Sequence, residues 1–110
     1  RVPVENLIGA ENSGFAGIVT NFNNERLGMA AQAIAFSRVC IEDAADWALE
    51  RETFGKKLIK HQVIRHKLAE MVRHVHASSA LLDNCAWRVM RGETPIAELS
   101  LLKVQATRTM

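Results

Sequence analysis

The sequence contains little of what marks several large classes of protein. It has two cysteines, two prolines and no tyrosine among its 110 residues, and its formal net charge is only +2. Its 14 basic and 12 acidic residues are spread along the chain, so composition gives no reason to expect a nucleic-acid partner. No run of about 18 apolar residues is present, and the sequence therefore predicts no membrane-spanning helix. With 48% hydrophobic and 24% charged residues, it has the composition of one globular domain.

Signatures for metal and nucleotide binding are missing as well. Cys40 and Cys85 stand far apart with no CxxC motif, and we expect both to be small buried hydrophobic residues. The intervals between the four histidines place no two of them on one helical face as metal ligands. No phosphate-binding glycine loop, GxGxxG or GxSxG motif occurs. The sequence therefore predicts no metal site.

The stretch 22–51 dominates what is present. It has no proline, a single glycine, and an alanine at every second or third position through its middle, a composition that favours a long helix. Asn23 or Asn24 suits the N-cap position, with Glu25 in the first turn. The prediction is a helix over 24–51 whose small residues let other backbones, or a flat ligand, approach closely.

A heptad pattern predicts a second long helix, over residues 61–91. Two series of residues seven apart interleave as the a and d positions of an apolar seam: Ile64, Met71, Ser78 and Cys85, with Leu68, Val75, Leu82 and Val89. Apolar spacing also predicts a short helix over 14–21 and a last helix over 95–109. The polar segment NFNN is expected to break the chain between helix 14–21 and helix 24–51, or to bend the first helix into the second.

These elements predict an all-α fold, an up-down antiparallel helical bundle with short loops. We expect the bundle to be incomplete and the chain to be an excised piece of a longer protein, because it starts at Arg1 and ends within a helical pattern at Met110. Residues 1–13 are expected to be a short extended segment followed by a turn-rich loop, with their partner strands outside the chain.

Two places along the chain are candidates for chemistry. Glu25 can act as a cap residue that complements the helix dipole, which composition favours, or as a general base in an apolar setting. The segment 51–55 can hold a phosphorylated flat ligand, with its guanidinium on phosphate and its ring on a ring, or it can be an ordinary solvated helix end. Gln62 can pair with an adenine-type edge, while His61 is by default a surface residue.

Taken together, these motifs resemble the acyl-CoA dehydrogenase family over the whole chain. In order they are VPxxNLIG, GF, NxxERxGMAA, a long helix that ends in AxxRxTFGKxL, and HQxIxxKLAEM. The spacing of RxTFGKxL, HQ and LAEM is specific, whereas each piece alone is not. The resemblance implies that residues 1–13 are the tail of the family's central β-domain and that residues 14–110 are part of its C-terminal helical bundle domain.

The resemblance also implies a tetrameric flavoenzyme. Such enzymes hold FAD and oxidise an acyl-CoA thioester to its trans-2-enoyl form. A glutamate takes the α-proton, the flavin takes the β-hydride, and an electron-transfer flavoprotein receives the electrons. The expected location is the bacterial cytoplasm or the mitochondrial matrix. An oxidase-like relative that uses oxygen, and a helical oligomerisation module without chemistry, remain as alternatives.

Carried over to this sequence, the resemblance assigns a cofactor set that matches the RxT and HQ motifs. Its members are Arg51, Glu52, Thr53, Phe54, His61 and Gln62. The first of these segments is expected to reach the FAD of a neighbouring subunit. Because the family's sites need further domains, we expect the isolated chain to be inactive, to bind FAD weakly or not at all, and to form a dimer or higher oligomer.

A second set matches the stretch that lines the acyl-CoA pocket in the family. The substrate-binding candidates are Asn23, Asn24 and Arg26, and the candidate catalytic base is Glu25. Glu25 occupies the position of the base in the long-chain and isovaleryl types of the family. Most members place their base far downstream, in a part that this chain does not contain, so both possibilities stay open.

Overall fold

The computed structural model describes all 110 residues, and most of them are helical. The elements in chain order are a 3-10 helix at Val4–Asn6, helix α1 at Gly14–Glu50, strand β1 at Glu52–Thr53, strand β2 at Lys56–Lys57, a 3-10 helix at Leu58–Lys60, helix α2 at Gln62–Met90 and helix α3 at Ile96–Thr109. The three α-helices pack pairwise on one another. The predicted all-α bundle is therefore confirmed.

Helix α1 is one continuous element of 37 residues, so the predicted break in the NFNN segment is wrong. An asparagine in a helix interior costs no more than about 0.7 kcal/mol. Two side-chain contacts along the helix offset that cost. Asn21 Nδ2 donates to Glu25 Oε1 at 2.7 Å, and Arg26 Nη1 donates to Asn23 Oδ1 at 2.9 Å.

The true start of α1 changes the interpretation of Glu25. Ser13 holds the N-cap position, so the predictions of Asn23 or Asn24 as the cap are wrong. Glu25 lies about three turns inside the helix, beyond the first turn in which the dipole of the helix acts on a charge. A capping role for Glu25 is thereby excluded.

The apolar seam predicted on α2 is confirmed, because all eight of its residues are buried or half-buried. The seam meets α1 and α3 in a single core. The eight buried residues of that core are Ala30, Ala33, Ile34, Val75, Cys85, Leu99, Leu102 and Ala106. Three alanines among them let the helices approach closely, as the composition of α1 predicted.

The bundle is a thin layer, 74 × 32 × 17 Å in extent, with only 13 of its 110 residues buried. Large apolar side chains consequently remain at the surface. Five residues at intervals of seven and four follow one side of α1, and we refer to them as the α1 stripe: Phe22, Met29, Phe36, Cys40 and Trp47. Cys85 is buried as predicted, but the prediction for Cys40 is wrong because its side of α1 is uncovered.

Residues 1–13 pair with no strand. Residues 4–6 form a 3-10 turn, in which Asn6 N–H donates to Pro3 O at 3.1 Å and Leu7 N–H donates to Val4 O at 3.0 Å. The expected extended conformation is wrong for these residues, because without a neighbouring strand the backbone groups bond locally. Their origin in a central β-domain stays a prediction.

None of the helices combines the length and the apolar character that crossing a membrane requires.

Candidate functional site

The first candidate site is an open groove beside the N-terminal half of α1, which we call the Glu25 groove. It encloses about 630 Å³ between the loop after the 3-10 turn and the first turns of the helix. Its lining residues are Ile8, Gly9, Ser13, Gly14, Gly17, Ile18, Asn21, Phe22 and Glu25. Glu25 is the one charged residue among small and apolar neighbours. The groove thus presents a carboxylate to any apolar ligand that it holds.

Asn21 holds the carboxylate of Glu25 in place. Its Nδ2 donates to Oε1, while the other carboxylate oxygen accepts no hydrogen bond within the chain. That free oxygen is the atom that can accept a proton. The sequence reasoning missed Asn21, although its position four residues before a glutamate in a helical stretch is a signal for such a bond.

The other residues of the predicted substrate set do not share this groove. Successive residues turn by about 100°, so Asn23 and Glu25 leave the helix about 200° apart. Asn23 is 6% exposed and accepts the hydrogen bond from Arg26. Asn24 is exposed and points in a third direction. Of the four predicted residues, only Glu25 lines the groove.

The second candidate site is a tight hairpin after α1, which we call the Phe54 hairpin and define as residues 51–58. Strands β1 and β2 pair antiparallel, with Glu52 opposite Lys57 and Thr53 opposite Lys56. The two residues between them, Phe54 and Gly55, both have positive φ, at 52° and 74°. Positive φ at both positions is the geometry of a type I′ turn.

Phe54 is an unusual residue for its place in this turn. A left-handed backbone costs a residue with a β-carbon about 1–2 kcal/mol, and type I′ turns favour asparagine there. Phe54 gains little from packing in return, because it is 96% exposed. An aromatic ring held at the tip of a strained turn and left in solvent is consistent with contact to a ligand or partner.

The base of the hairpin is fastened to the end of α1. Leu58 N–H donates to Arg51 O at 2.8 Å, and Lys57 Nζ donates to Glu50 O at 2.9 Å. Lys57 also pairs with Glu52 at 3.1 Å. A cation on the last carbonyls of a helix is favourable electrostatically. Sequence reasoning missed Lys57, since its role depends on the register of the two strands.

The tip of the hairpin is fastened to the start of α2. His61 Nε2 lies 3.3 Å from Thr53 Oγ1 and 3.4 Å from Thr53 O. The rings of Phe54 and His61 meet edge to face, with centroids 6.3 Å apart. The structure therefore brings the RxT and HQ motifs together through a contact that their linear order does not reveal.

Three residues of the predicted cofactor set have exposed side chains with few contacts inside the chain. Arg51 is exposed and forms no ion pair or side-chain hydrogen bond within the chain, and it lines a recess of about 520 Å³ at the base of the hairpin. The exposed amide of Gln62 has one contact, at 3.5 Å from His66. With the ring of Phe54, these groups offer a guanidinium, a flat apolar surface and an amide.

The Glu25 groove and the Phe54 hairpin lie far apart. Glu25 and Arg51 are 26 positions apart along α1 and its end, which corresponds to about 39 Å at the rise of an α-helix. One copy of the chain cannot bring both to the same small ligand. No group of three or more histidine, cysteine or acidic side chains is arranged to hold a metal ion.

Comparison with known proteins gives a consistent result. The family described as acyl-CoA dehydrogenase, C-terminal domain, matches residues 12–110. Acyl-CoA dehydrogenase AFT10-1 of Alternaria alternata is 48% identical over 84 residues, which are 76% of this chain and 19% of that protein. The short-chain-specific acyl-CoA dehydrogenase of Megasphaera elsdenii is 32% identical over 94% of this chain and 27% of that protein.

Solved structures agree with the sequence matches. A probable acyl-CoA dehydrogenase from Mycobacterium abscessus is 47% identical and superposes with a TM-score of 0.91 over 99% of this chain and 29% of that one. The butyryl-CoA dehydrogenase of Megasphaera elsdenii is 31% identical, with a TM-score of 0.93 over 98% of this chain and 28% of that one. The chain thus spans between about a fifth and three tenths of the relatives it matches.

Proposed function

The chain belongs to the acyl-CoA dehydrogenase family, and from that premise we propose that it is a segment of a flavin-dependent subunit that oxidises an acyl-CoA to its trans-2-enoyl-CoA. The observation that carries the proposal is the Phe54 hairpin. The hairpin carries a guanidinium without an ion pair at its base and a strained, solvent-exposed ring at its tip, whose one ring contact within the chain is with His61. Both suit a ligand that carries phosphate and flat rings.

FAD fits the groups on the hairpin. Its pyrophosphate suits the forked donors of Arg51, and a flat ring of the cofactor suits the face of Phe54. The amide of Gln62 can both donate to and accept from the edge of a base. Lys56 and Lys60 add positive charge nearby. When bound, FAD supplies the acceptor for the hydride that leaves the β-carbon of the acyl group.

Glu25 is the proposed base for the α-proton of the acyl-CoA. It lies in an apolar groove, one of its carboxylate oxygens is free, and Asn21 orients the other. A carboxylate within hydrogen-bond reach of the proton it removes is the arrangement that general base catalysis needs. The downstream base of most family members is the competing assignment.

The distance between the two sites supports a functional unit of more than one subunit. Because about 39 Å separates Glu25 from Arg51, we propose that the hairpin contacts the FAD of a neighbouring copy in a dimer or tetramer. The exposed α1 stripe provides apolar surface for such association. An electron-transfer flavoprotein as electron acceptor, and a cytoplasmic or mitochondrial location, belong to the same proposal.

The test uses the full-length protein that carries this segment. Arg51→Ala and Phe54→Ala should each reduce the FAD that stays bound through gel filtration, measured by flavin absorbance. Lys67→Ala removes a charge from an exposed site on α2 and should retain FAD. If both hairpin variants keep their FAD, the assignment to the cofactor fails. A full-length protein that assembles but never binds flavin would favour the helical oligomerisation module.

A further inference from the structure

The six residues assigned to the cofactor divide into two groups in the structure. Glu52, Thr53 and His61 have their side chains engaged within the chain, the first with Lys57 and the other two with each other. The other three, Arg51, Phe54 and Gln62, are exposed: Arg51 has no side-chain partner, the ring of Phe54 meets that of His61, and Gln62 has one long contact with His66. If all six residues contacted one ligand, most of their polar atoms would be unpaired before that ligand binds.

We propose that Thr53 and His61 are positioning residues, whose mutual contact holds the Phe54 hairpin against α2 so that Arg51, Phe54 and Gln62 contact the cofactor. The positioning role rests on the proposed function, whereas the contact between Thr53 and His61 does not depend on it. The threonine of the RxT motif and the histidine of the HQ motif thus serve to hold each other in place.

The chemistry of the contact identifies where the imidazole carries its proton. His61 Nε2 lies near two oxygen atoms of Thr53, the hydroxyl Oγ1 and the carbonyl O. A carbonyl oxygen only accepts hydrogen bonds, so Nε2 has to donate for both contacts to form. The tautomer with hydrogen on Nε2 satisfies both, whereas the other tautomer satisfies only the hydroxyl. We therefore take the hydrogen to lie on Nε2, in the tautomer that forms both contacts.

The contact of Thr53 with His61 fixes the position of the hairpin tip, because the hairpin has little other support. Its strands are two residues long, and a two-stranded ribbon alone is marginally stable in water. Its base is closed by the bond from Leu58 N–H to Arg51 O and is tied to α1 by Lys57, which donates to Glu50 O. The tip, with its strained turn, has its only other support in His61, which contacts both Thr53 and Phe54. Without that support, the direction of Phe54 relative to Gln62 is not fixed.

The first experiment measures the contact in the 110-residue chain. Nitrogen chemical shifts of His61 should show the hydrogen on Nε2. His61→Phe removes the donor, and amide hydrogen exchange at Lys56, which pairs with Thr53 next to the turn, should become roughly threefold to tenfold faster, as the loss of one modest hydrogen bond predicts. His61→Gln supplies an amide N–H that can replace Nε2–H and should restore slow exchange. Thr53→Val removes only the hydroxyl contact and should have a smaller effect.

Lys67→Ala is the control for the exchange experiment and should leave the Lys56 amide unchanged. A hydrogen on Nδ1 alone, or unchanged exchange in both His61→Phe and Thr53→Val, would overturn the proposal. Thr53→Val preserves the imidazole and keeps the test decisive if His61→Phe does not fold.

The second experiment compares FAD affinity in the full-length protein. We expect His61→Phe to weaken FAD binding and His61→Gln to restore most of it. If His61→Gln binds FAD as poorly as His61→Phe while its hairpin exchanges slowly, His61 contacts the ligand directly and the positioning role is wrong. If Arg51→Ala and Phe54→Ala keep full affinity for FAD, the proposed function fails, and the positioning role of the contact fails with it. The exchange data decide separately whether the contact between Thr53 and His61 exists.

Discussion

Asn23 and Glu25 leave helix α1 on opposite sides, although they are two residues apart. Asn23 is buried against the bundle and bonded to Arg26, while Glu25 faces the groove and is bonded to Asn21. The stretch 21–26 therefore contains two interleaved pairs with different surroundings. One pair stabilises the helix and the other presents a carboxylate, so their substitution should have different consequences.

The buried pair should contribute to stability. Asn23→Ala leaves the half-buried guanidinium of Arg26 without its acceptor, which should cost about 1–3 kcal/mol of unfolding free energy. Asn24→Ala changes an exposed neighbour of the same type and should alter stability by no more than about 0.5 kcal/mol. Urea unfolding of both variants makes the comparison. Equal effects would mean that the bond to Arg26 contributes nothing.

The groove pair should contribute to chemistry. In the full-length protein, Glu25→Gln keeps the size of the side chain and removes the base, so exchange of the substrate α-proton with solvent deuterium should slow by at least about 100-fold. FAD should stay bound. Glu42→Gln removes an exposed carboxylate on α1 outside the groove and is the matched control. Undiminished exchange in Glu25→Gln would assign the base to the downstream part of the protein.

The turn at Phe54 should lower the stability of the folded chain while it presents the ring to FAD. Phe54→Asn places a residue that tolerates positive φ before Gly55, and the folded chain should gain about 1 kcal/mol. For a domain of this size, that corresponds to a rise in Tm of about 4–8 °C. FAD binding by the full-length protein should weaken. Phe54→Ala removes the ring without relieving the backbone and should lose FAD with no such gain. A lower Tm for Phe54→Asn would refute the interpretation of the turn as strained.

The junction of α2 and α3 should make stability depend on pH. Arg88 donates to Glu98 at 2.6 Å and to Glu93 at 2.7 Å. The hydrogen bond from Arg88 lowers the pKa of Glu98 below its ordinary value of 4.5. Since the folded value is the lower one, this contribution is present above the ordinary value and is lost as pH falls through the lowered value.

We expect the urea midpoint of the chain to fall more between about pH 6 and pH 3 than that of Glu98→Gln, because only the former loses this contribution. Glu42→Gln, whose carboxylate is in no ion pair, should follow the unsubstituted chain. Parallel pH profiles for the chain and Glu98→Gln would show that the Arg88 contact adds nothing to stability.

The α1 stripe should make the isolated chain associate. Light scattering after gel filtration is expected to give the mass of a dimer or higher oligomer, because several large apolar side chains lie exposed along one helix. Phe36→Ser should shift the mass toward the monomer, whereas Asp46→Asn, at an exposed polar position of the same helix, should not. A monomer at high concentration would argue against association through this surface.

Local patterns in the sequence correctly predicted much of the fold. The seven-residue spacing on α2 correctly predicted a seam of buried and half-buried residues, of which Val75, Leu82, Cys85 and Val89 form the core or pack against it. The bounds of α2 and α3 lie within one residue of the prediction. The break predicted at NFNN was wrong because asparagine disfavours a helix only weakly. Side-chain hydrogen bonds along α1 offset that small cost. The same error placed Glu25 in a first turn where it does not lie.

What the sequence alone determined is what repeats within a few residues: helical periodicity, and the motifs that place the chain in its family. Only the tertiary structure decided which motif residues are free and which engage each other. The contact of His61 with Thr53, and the exposure of Phe54 on a left-handed backbone, depend on how α1, the hairpin and α2 meet. Such contacts are set by the packing of whole elements, which no local spacing encodes.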